Sequence, residues 1–193
     1  MTLVAIEFMS LDGVVQAPSY SNEDSSGGFK HGGWHRPFLD NVSMQWVVDT
    51  IAGAEGYLLG RTTYDSFAAH WPNAGPDESV LAEPLNTKPK YLVTSHPLDA
   101  TWANTKVLRG DLKASISELM SVVNGKILII GSPILARSLL ELELIDELRV
   151  MIDPIVIGSG KRLFGEYPRP ITLKLASCVP CDTGSLLATY LKP

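Results

Sequence analysis

Apolar residues fall in short runs separated by turn-forming clusters, and the runs alternate between the strand period and the helix period. Residues 3–9 predict a first strand, closed by the turn cluster Ser10-Leu11-Asp12-Gly13. Residues 16–33 are polar and glycine-rich, which reads either as a slack connection or as a lid over a site. Pro37 suits a first helical turn, and Phe38, Val42, Met44, Trp46, Val47, Val48 and Ile51 continue the stripe. That helix is expected to end by Gly53 or Gly56. Residues 57–59 predict a short buried strand, turned by Gly60-Arg61-Thr62-Thr63 into a helix that stops at Trp71-Pro72. Thr62 and Asp65 there have the spacing of a capping box.

Residues 73–89, broken by Pro76, Pro84 and Pro89, predict a surface connection. Strands follow at 90–93 and 105–108, then a helix at 111–123 with Leu112, Ile116, Leu119 and Val123 as its buried stripe. Residues 126–130 are so apolar that a central strand covered on both faces is expected. A helix opens at Ser132-Pro133 and runs to about Leu142. Strands at 148–152, 171–177 and 185–191 close the chain with no helix between the last two. The pattern predicts a three-layer α/β/α domain spanning residues 1–193, its sheet mainly parallel with an antiparallel C-terminal edge. Leu173, Leu175, Leu186 and Leu187 on that edge predict a homodimer, unless residues 73–89 cover it within one chain.

Composition narrows the partners. Lys and Arg number 16 against 21 Asp and Glu, a net charge of −5, which argues against a surface built to neutralise nucleic acid. No apolar run approaches the roughly 20 residues of a membrane span, and no basic segment precedes the first strand. A soluble cytoplasmic chain is expected. His31 and His35 are surrounded by glycines and lack the helical zinc pattern, so no metal site is expected. Cys178 and Cys181 lie at a strand end and read as inert thiols. Gly158-Ser159-Gly160-Lys161 lacks the phosphate-loop spacing and reads as a tight turn.

The candidate chemistry sits at strand ends. In open α/β sheets ligands bind beyond the carboxyl ends of the strands. Here those ends are Gly60-Arg61-Thr62-Thr63, Thr94-Ser95-His96 and Gly131-Ser132-Pro133. Two of them open helices, whose free N–H groups suit phosphate, and Arg61 adds a forked cation. Thr62 and Ser132 would alternatively serve only as helix caps. Gly131 would let the backbone approach a pyrophosphate closely. Three such ends in one α/β pattern point toward a dinucleotide.

These residues carry a resemblance. Ser10-Leu11-Asp12-Gly13, Leu58 to Asp65, Gly131-Ser132, Leu144 to Leu148, and Pro154 with Gly158 to Phe164 resemble the dihydrofolate reductase-like superfamily. The chain is similar over nearly its whole length to single-domain relatives of the C-terminal reductase domain of the bifunctional riboflavin biosynthesis enzyme. The resemblance implies NADPH as cofactor. Arg61, Thr62 and Thr63 would take phosphates, and Thr94, Ser95 and Arg109 the adenosine end. Gly131, Ser132 and Ile134 would hold the pyrophosphate, with Gly60 in the turn and Val15 facing the nicotinamide. The activity implied is reduction of a pterin-like or deaminated-pyrimidine ring, as in dihydrofolate reductase or 5-amino-6-(5-phosphoribosylamino)uracil reductase. A nucleotide-binding module without turnover is the alternative. Asp40 stands nearest to the substrate carboxylate of dihydrofolate reductases, or is simply a first-turn acid of its helix. Ile130 stands where riboflavin-pathway reductases carry an acid.

Overall fold

The computed structural model describes residues 1–97 and 101–193. Its elements in chain order are β1 (Thr2–Ser10), α1 (Asn41–Ala52), β2 (Gly56–Gly60), α2 (Arg61–His70), α3 (Ser79–Thr87), β3 (Lys90–Val93), β4 (Thr105–Leu108), α4 (Leu112–Val122), β5 (Lys126–Ile130), α5 (Pro133–Glu141), β6 (Glu147–Asp153), β7 (Lys174–Pro180) and β8 (Leu186–Leu191). The strands form one eight-stranded sheet in the order β4-β3-β2-β5-β1-β6-β8-β7. Pairing is parallel from β4 across to β6, and β8 runs antiparallel to both β6 and β7.

Two apolar layers hold this sheet. Leu3, Ala5 and Met9 of β1 pack with Ile116 and Leu119 of α4 and Leu135 and Leu139 of α5. Val4 and Ile6 face the other way, onto Val47 and Ile51 of α1, Tyr64 of α2 and Leu85 of α3. This alternation is the two-residue period of a strand, so β1 is covered on both faces. The connections that step from β1 toward the β4 edge carry α1, α2 and α3 on one face. Those that step back carry α4 and α5 on the other, as a single crossover hand requires. β5 lies between β1 and β2 with residues 127–130 buried, as its apolar run predicts.

Four expectations change. The helix predicted from Pro37 begins at Asn41, and Pro37 instead sits in a 3-10 turn, Arg36–Phe38. The connection predicted at 73–89 contains α3, which keeps Pro84 inside it and packs Leu85 into the core. It is held at its end by Lys90, whose buried Nζ donates to the carbonyls of Leu85 and Asn86. The penultimate strand is Lys174–Pro180 rather than 171–177, and it is exposed along its whole length. Leu187, assigned to the exposed edge, is buried.

Candidate active site

Pairing of β1 with β5 stops at Ile6 and Ile130, while β1 continues beside β6 to Ser10. Where β1 outruns its neighbour, a cavity of about 390 Å3 opens at the carboxyl ends of β1, β2, β3 and β5. The volume lies in the range of small-molecule sites, and the position is the switch point of the sheet. Phe8, Val15, Phe67 and Leu135 supply apolar wall.

Of the residues expected to bind cofactor, Val15, Gly60, Arg61, Thr62, Thr63, Gly131, Ser132 and Ile134 all line this cavity. The two strand-to-helix turns are tied together. Ser132 Oγ accepts the Gly60 amide at 3.0 Å and donates to the Ile130 carbonyl at 3.3 Å. The Thr63 hydroxyl donates to the Gly131 carbonyl. Neither α2 nor α5 has a side-chain cap. The capping role left open for Thr62 and Ser132 therefore does not hold, because Gly60 is the α2 cap position and the Ser132 hydroxyl is spent across the turn. Asp65 does not complete a box with Thr62 either. It takes a forked bond from Arg61 Nε at 2.7 and 3.0 Å, one helical turn away. Gly131 has φ of 59°, the left-handed region, so the turn itself requires glycine. An added Cβ would meet Thr63 Cγ2 at 3.4 Å.

Thr94, Ser95 and Arg109 are not part of the cavity wall, although Val93 and Leu112 beside them are. They form their own cluster, in which Thr94 Oγ1 accepts the His96 amide and Arg109 donates to the His96 carbonyl at 3.2 Å. Asp40 is also outside the wall. It caps α1: its Oδ1 accepts the Ser43 amide at 2.8 Å, and the Ser43 hydroxyl returns to the Asp40 amide at 2.9 Å. Its Oδ2 takes the Asp182 amide at 3.0 Å, and hydrogen bonds hold its carboxyl below the usual range, the Ser43 amide foremost.

The segment after β1 walls one side of the cavity through Gln16, Ala17, Pro18, Glu23 and Asp24. It is anchored rather than slack. Gln16 Nε2 donates to the carbonyls of Asp24 and Ser26, its Oε1 accepts the Lys161 amide, and Trp34 Nε1 donates to its carbonyl at 2.8 Å. Trp34 is buried as that anchor. The Ser10-Leu11-Asp12-Gly13 turn is tied down as well. Asp12 accepts the amides of Ile157 and Gly158, which together with the Ser10 hydroxyl hold its carboxyl well below the ordinary range. Gly158 and Gly160 both have positive φ, consistent with a tight turn. Burial pushes the Cys181 thiol up to about 11, and Cys178 is an exposed free thiol.

Sequence reasoning missed Glu7. It lies on β1 between Ala5 and Met9, is 3% exposed, and lines the cavity. Its Oε1 is buried with no hydrogen-bond partner, and burial pushes the carboxyl up to about 8. The available signal was an acid in the middle of a strand apolar enough to be covered on both faces.

Among the described residues, no group of His, Cys, Asp and Glu could hold a metal, and no helix is long and apolar enough to cross a membrane. Sheet, helices and cavity together define a dihydrofolate reductase-like α/β fold. The chain belongs to the RibD C-terminal domain family, whose model matches residues 1–187. An uncharacterised protein of Bacillus subtilis, YyaP, is 29% identical over 149 residues, 74% of this chain and 73% of its own. A putative riboflavin biosynthesis protein from Shewanella sp. PV-4 superposes with a TM-score of 0.76 at 20% identity, covering 100% of this chain and 99% of its own. A pyrimidine reductase-like protein from Corynebacterium diphtheriae gives 0.66 at 16% identity, covering 98% and 91%. Dihydrofolate reductase from Enterococcus faecalis, complexed with NADP(H) and RAB-propyl, gives 0.62 at 16%, covering 99% and 96%.

Proposed function

We propose that the protein is an NADPH-dependent reductase of a small ring compound, pterin-like or of the deaminated-pyrimidine kind. The observation that carries this reading is the pair of uncapped helix starts, α2 and α5, opening on one cavity beside Arg61. Their first-turn amides and positive dipole ends suit phosphate, so the residues present fit the cofactor. Arg61, Thr62 and Thr63 take phosphate, Gly131, Ser132 and Ile134 the pyrophosphate, and Val15 faces the nicotinamide. Thr94, Ser95 and Arg109 receive the adenosine end just beyond the cavity. Bound there, the cofactor supplies hydride, and the chain aims it and excludes water. A cytoplasmic setting and a homodimer through the exposed β7 edge belong to the same proposal, the second tested by light scattering at micromolar concentration.

Titration by nicotinamide fluorescence tests the cofactor, and NADPH oxidation across pterins, aminouracils and quinones tests turnover. Binding of NADPH in preference to NADH is expected. Absence of binding at millimolar NADPH removes the assignment.

A further inference from the structure

Four acids stand at or beside the cavity, and three of them are spent. Glu23 Oε2 accepts the amides of Ser19 and Tyr20 at 2.8 and 3.2 Å. Asp24 binds the Lys161 ammonium at 2.7 Å and the Ser26 amide at 3.0 Å. Asp65 is held by Arg61. Glu7 alone carries a buried oxygen with no partner. Its neighbours on the same face of β1 are Ala5 and Met9, and across on β6 it pairs with Val150, so nothing protein-borne compensates the burial. A leucine of similar size there would keep the core and avoid the desolvation of a carboxyl, which makes the glutamate a cost to folding. A buried acid in a cavity wall without a protein partner points to a ligand as that partner.

Resting on the reductase reading above, we propose that Glu7 is the proton donor of this site, its carboxyl meeting the heteroatom of a C=N or C=O bond in a flat, uncharged substrate. As hydride from the reduced nicotinamide reaches the carbon of that bond, its π electrons move onto the nitrogen or oxygen. The Glu7 O–H bond breaks, and its proton forms the new N–H or O–H bond. The products are NADP+, the reduced substrate and the Glu7 carboxylate, which regains a proton from water. Phe8, Val15 and Phe67 suit the flat ring that such a substrate presents. The charged groups facing the cavity are Glu23 and Asp24 from the segment after β1, Arg61 from α2 and Lys161 from the turn before β7. Asp65 beside Arg61 and Asp24 beside Lys161 balance the charge of both cations, so burial governs Glu7, and it keeps its proton through neutral pH.

The test compares wild type with Glu7→Gln, which keeps the shape of the neutral acid, and Glu7→Asp, which withdraws it. Infrared spectra at pH 7 are expected to show a protonated-carboxyl band that fades near pH 8 and is missing from Glu7→Gln. Stability gives an independent reading. Between the ordinary carboxylate range and pH 8 the native state holds one more proton than the unfolded chain. Wild type should therefore lose up to tenfold in its folding constant per pH unit across that window, relative to Glu7→Gln. With pterins, aminouracils and quinones as probes, Glu7→Gln should keep NADPH affinity and KM and lose about 10²–10⁴ in kcat. Wild-type kcat should fall above pH 8, Glu7→Asp should be partly active, and the residual rate of Glu7→Gln should be flat. An ionised Glu7 at pH 7, a wild type that binds NADPH but reduces none of the probes, or a Glu7→Gln enzyme with wild-type kcat overturns the donor role. Failure of wild type to bind NADPH overturns the reductase reading instead, and is told apart by the fluorescence titration.

Discussion

The polar groups at the mouth of the cavity and those buried beneath α1 are handled in opposite ways. Beneath α1, His35 Nδ1 lies 2.7 Å from Asp153 Oδ2, Asp153 Oδ1 accepts the Ser185 hydroxyl at 2.8 Å, and Phe8 stacks on the imidazole at 4.2 Å. Asp40 then closes the start of α1, as Asp111 closes the start of α4. At the cavity, α2 and α5 begin with no such cap, and Glu7 has no partner. The α3 start lacks a cap too, but it continues straight from a 3-10 turn at Pro76–Glu78. Burial alone does not separate the two regions, since Glu7 and Ser132 are buried as His35 and Asp153 are. What separates them is how the protein uses its donors and acceptors. His35 Nε2 also lacks a partner, but its ring is fixed through Nδ1, whereas Glu7, with Oε1 unpartnered, lines the cavity. Groups satisfied by one another hold the fold, and a group left over in a cavity wall is open to a ligand.

The largest expected effect breaks the closed region. Asp153→Ala removes an acceptor shared by His35 and Ser185, both almost fully buried. Leaving those groups unpaired should cost about 2–5 kcal/mol, read from urea unfolding. NADPH affinity of the remaining folded protein should be unchanged. A parallel loss of affinity would mean that the two regions are one.

Arg61→Ala reverses that pattern. The side chain is 39% exposed, and its pairing with Asp65 is an exposed i,i+4 pair, worth about 0.3–0.5 kcal/mol. Melting temperature should hardly move. Affinity for NADPH should fall about ten- to hundredfold through loss of a charge-assisted bond, and NADH affinity much less. Equal losses for both cofactors would move the ribose phosphate elsewhere.

Ser132→Ala lies between these two. Its hydroxyl is the acceptor for the Gly60 amide, and the residue is buried. An amide left unsatisfied there should cost about 1–3 kcal/mol. Because the same bond sets the spacing of the α2 and α5 starts, NADPH affinity should fall as well. A thermal melt with and without saturating NADPH separates the two losses. Intact affinity would show that each helix start is held by its own turn.

Much of this arrangement was legible from the chain. β1, β2, β5 and the starts of α2 and α5 follow from apolar runs ending in Gly, Thr and Ser, because a strand buried on both faces has little freedom in composition. The helix α3 was hidden by Pro76, Pro84 and Pro89, which read locally as breakers although its Leu85 and Ala82 are core. β7 shifted by three residues because an exposed strand carries no burial alternation to set its register. The Thr62 and Asp65 spacing suggested a box, but Arg61 offered Asp65 the stronger partner. Glu7 escaped because one acid does not disturb a hydrophobic count. Its meaning depends on what surrounds it in space.

Asp40→Ala gives the smallest expected effect and the sharpest contrast with Glu7. Both acids were positioned to serve a substrate, one by resemblance and one by the fold. Asp40 spends Oδ1 on the Ser43 amide and hydroxyl and Oδ2 on the Asp182 amide, so it ties the start of α1 to the turn between β7 and β8. Loss of the cap should lower the melting temperature less than Ser132→Ala does, since the exposed Asp182 amide regains water and the Ser43 hydroxyl keeps its bonds to the Asp40 backbone. The carboxyl is held low by the Ser43 amide in the folded state. Its contribution is therefore present above the ordinary carboxylate range and fades as pH falls through it, the reverse of Glu7. The wild-type advantage over Asp40→Ala should accordingly shrink in acid, while kcat and NADPH affinity stay at the wild-type level at pH 7. A loss of kcat at unchanged stability would restore Asp40 to the active site and remove the distinction between spent and unspent acids.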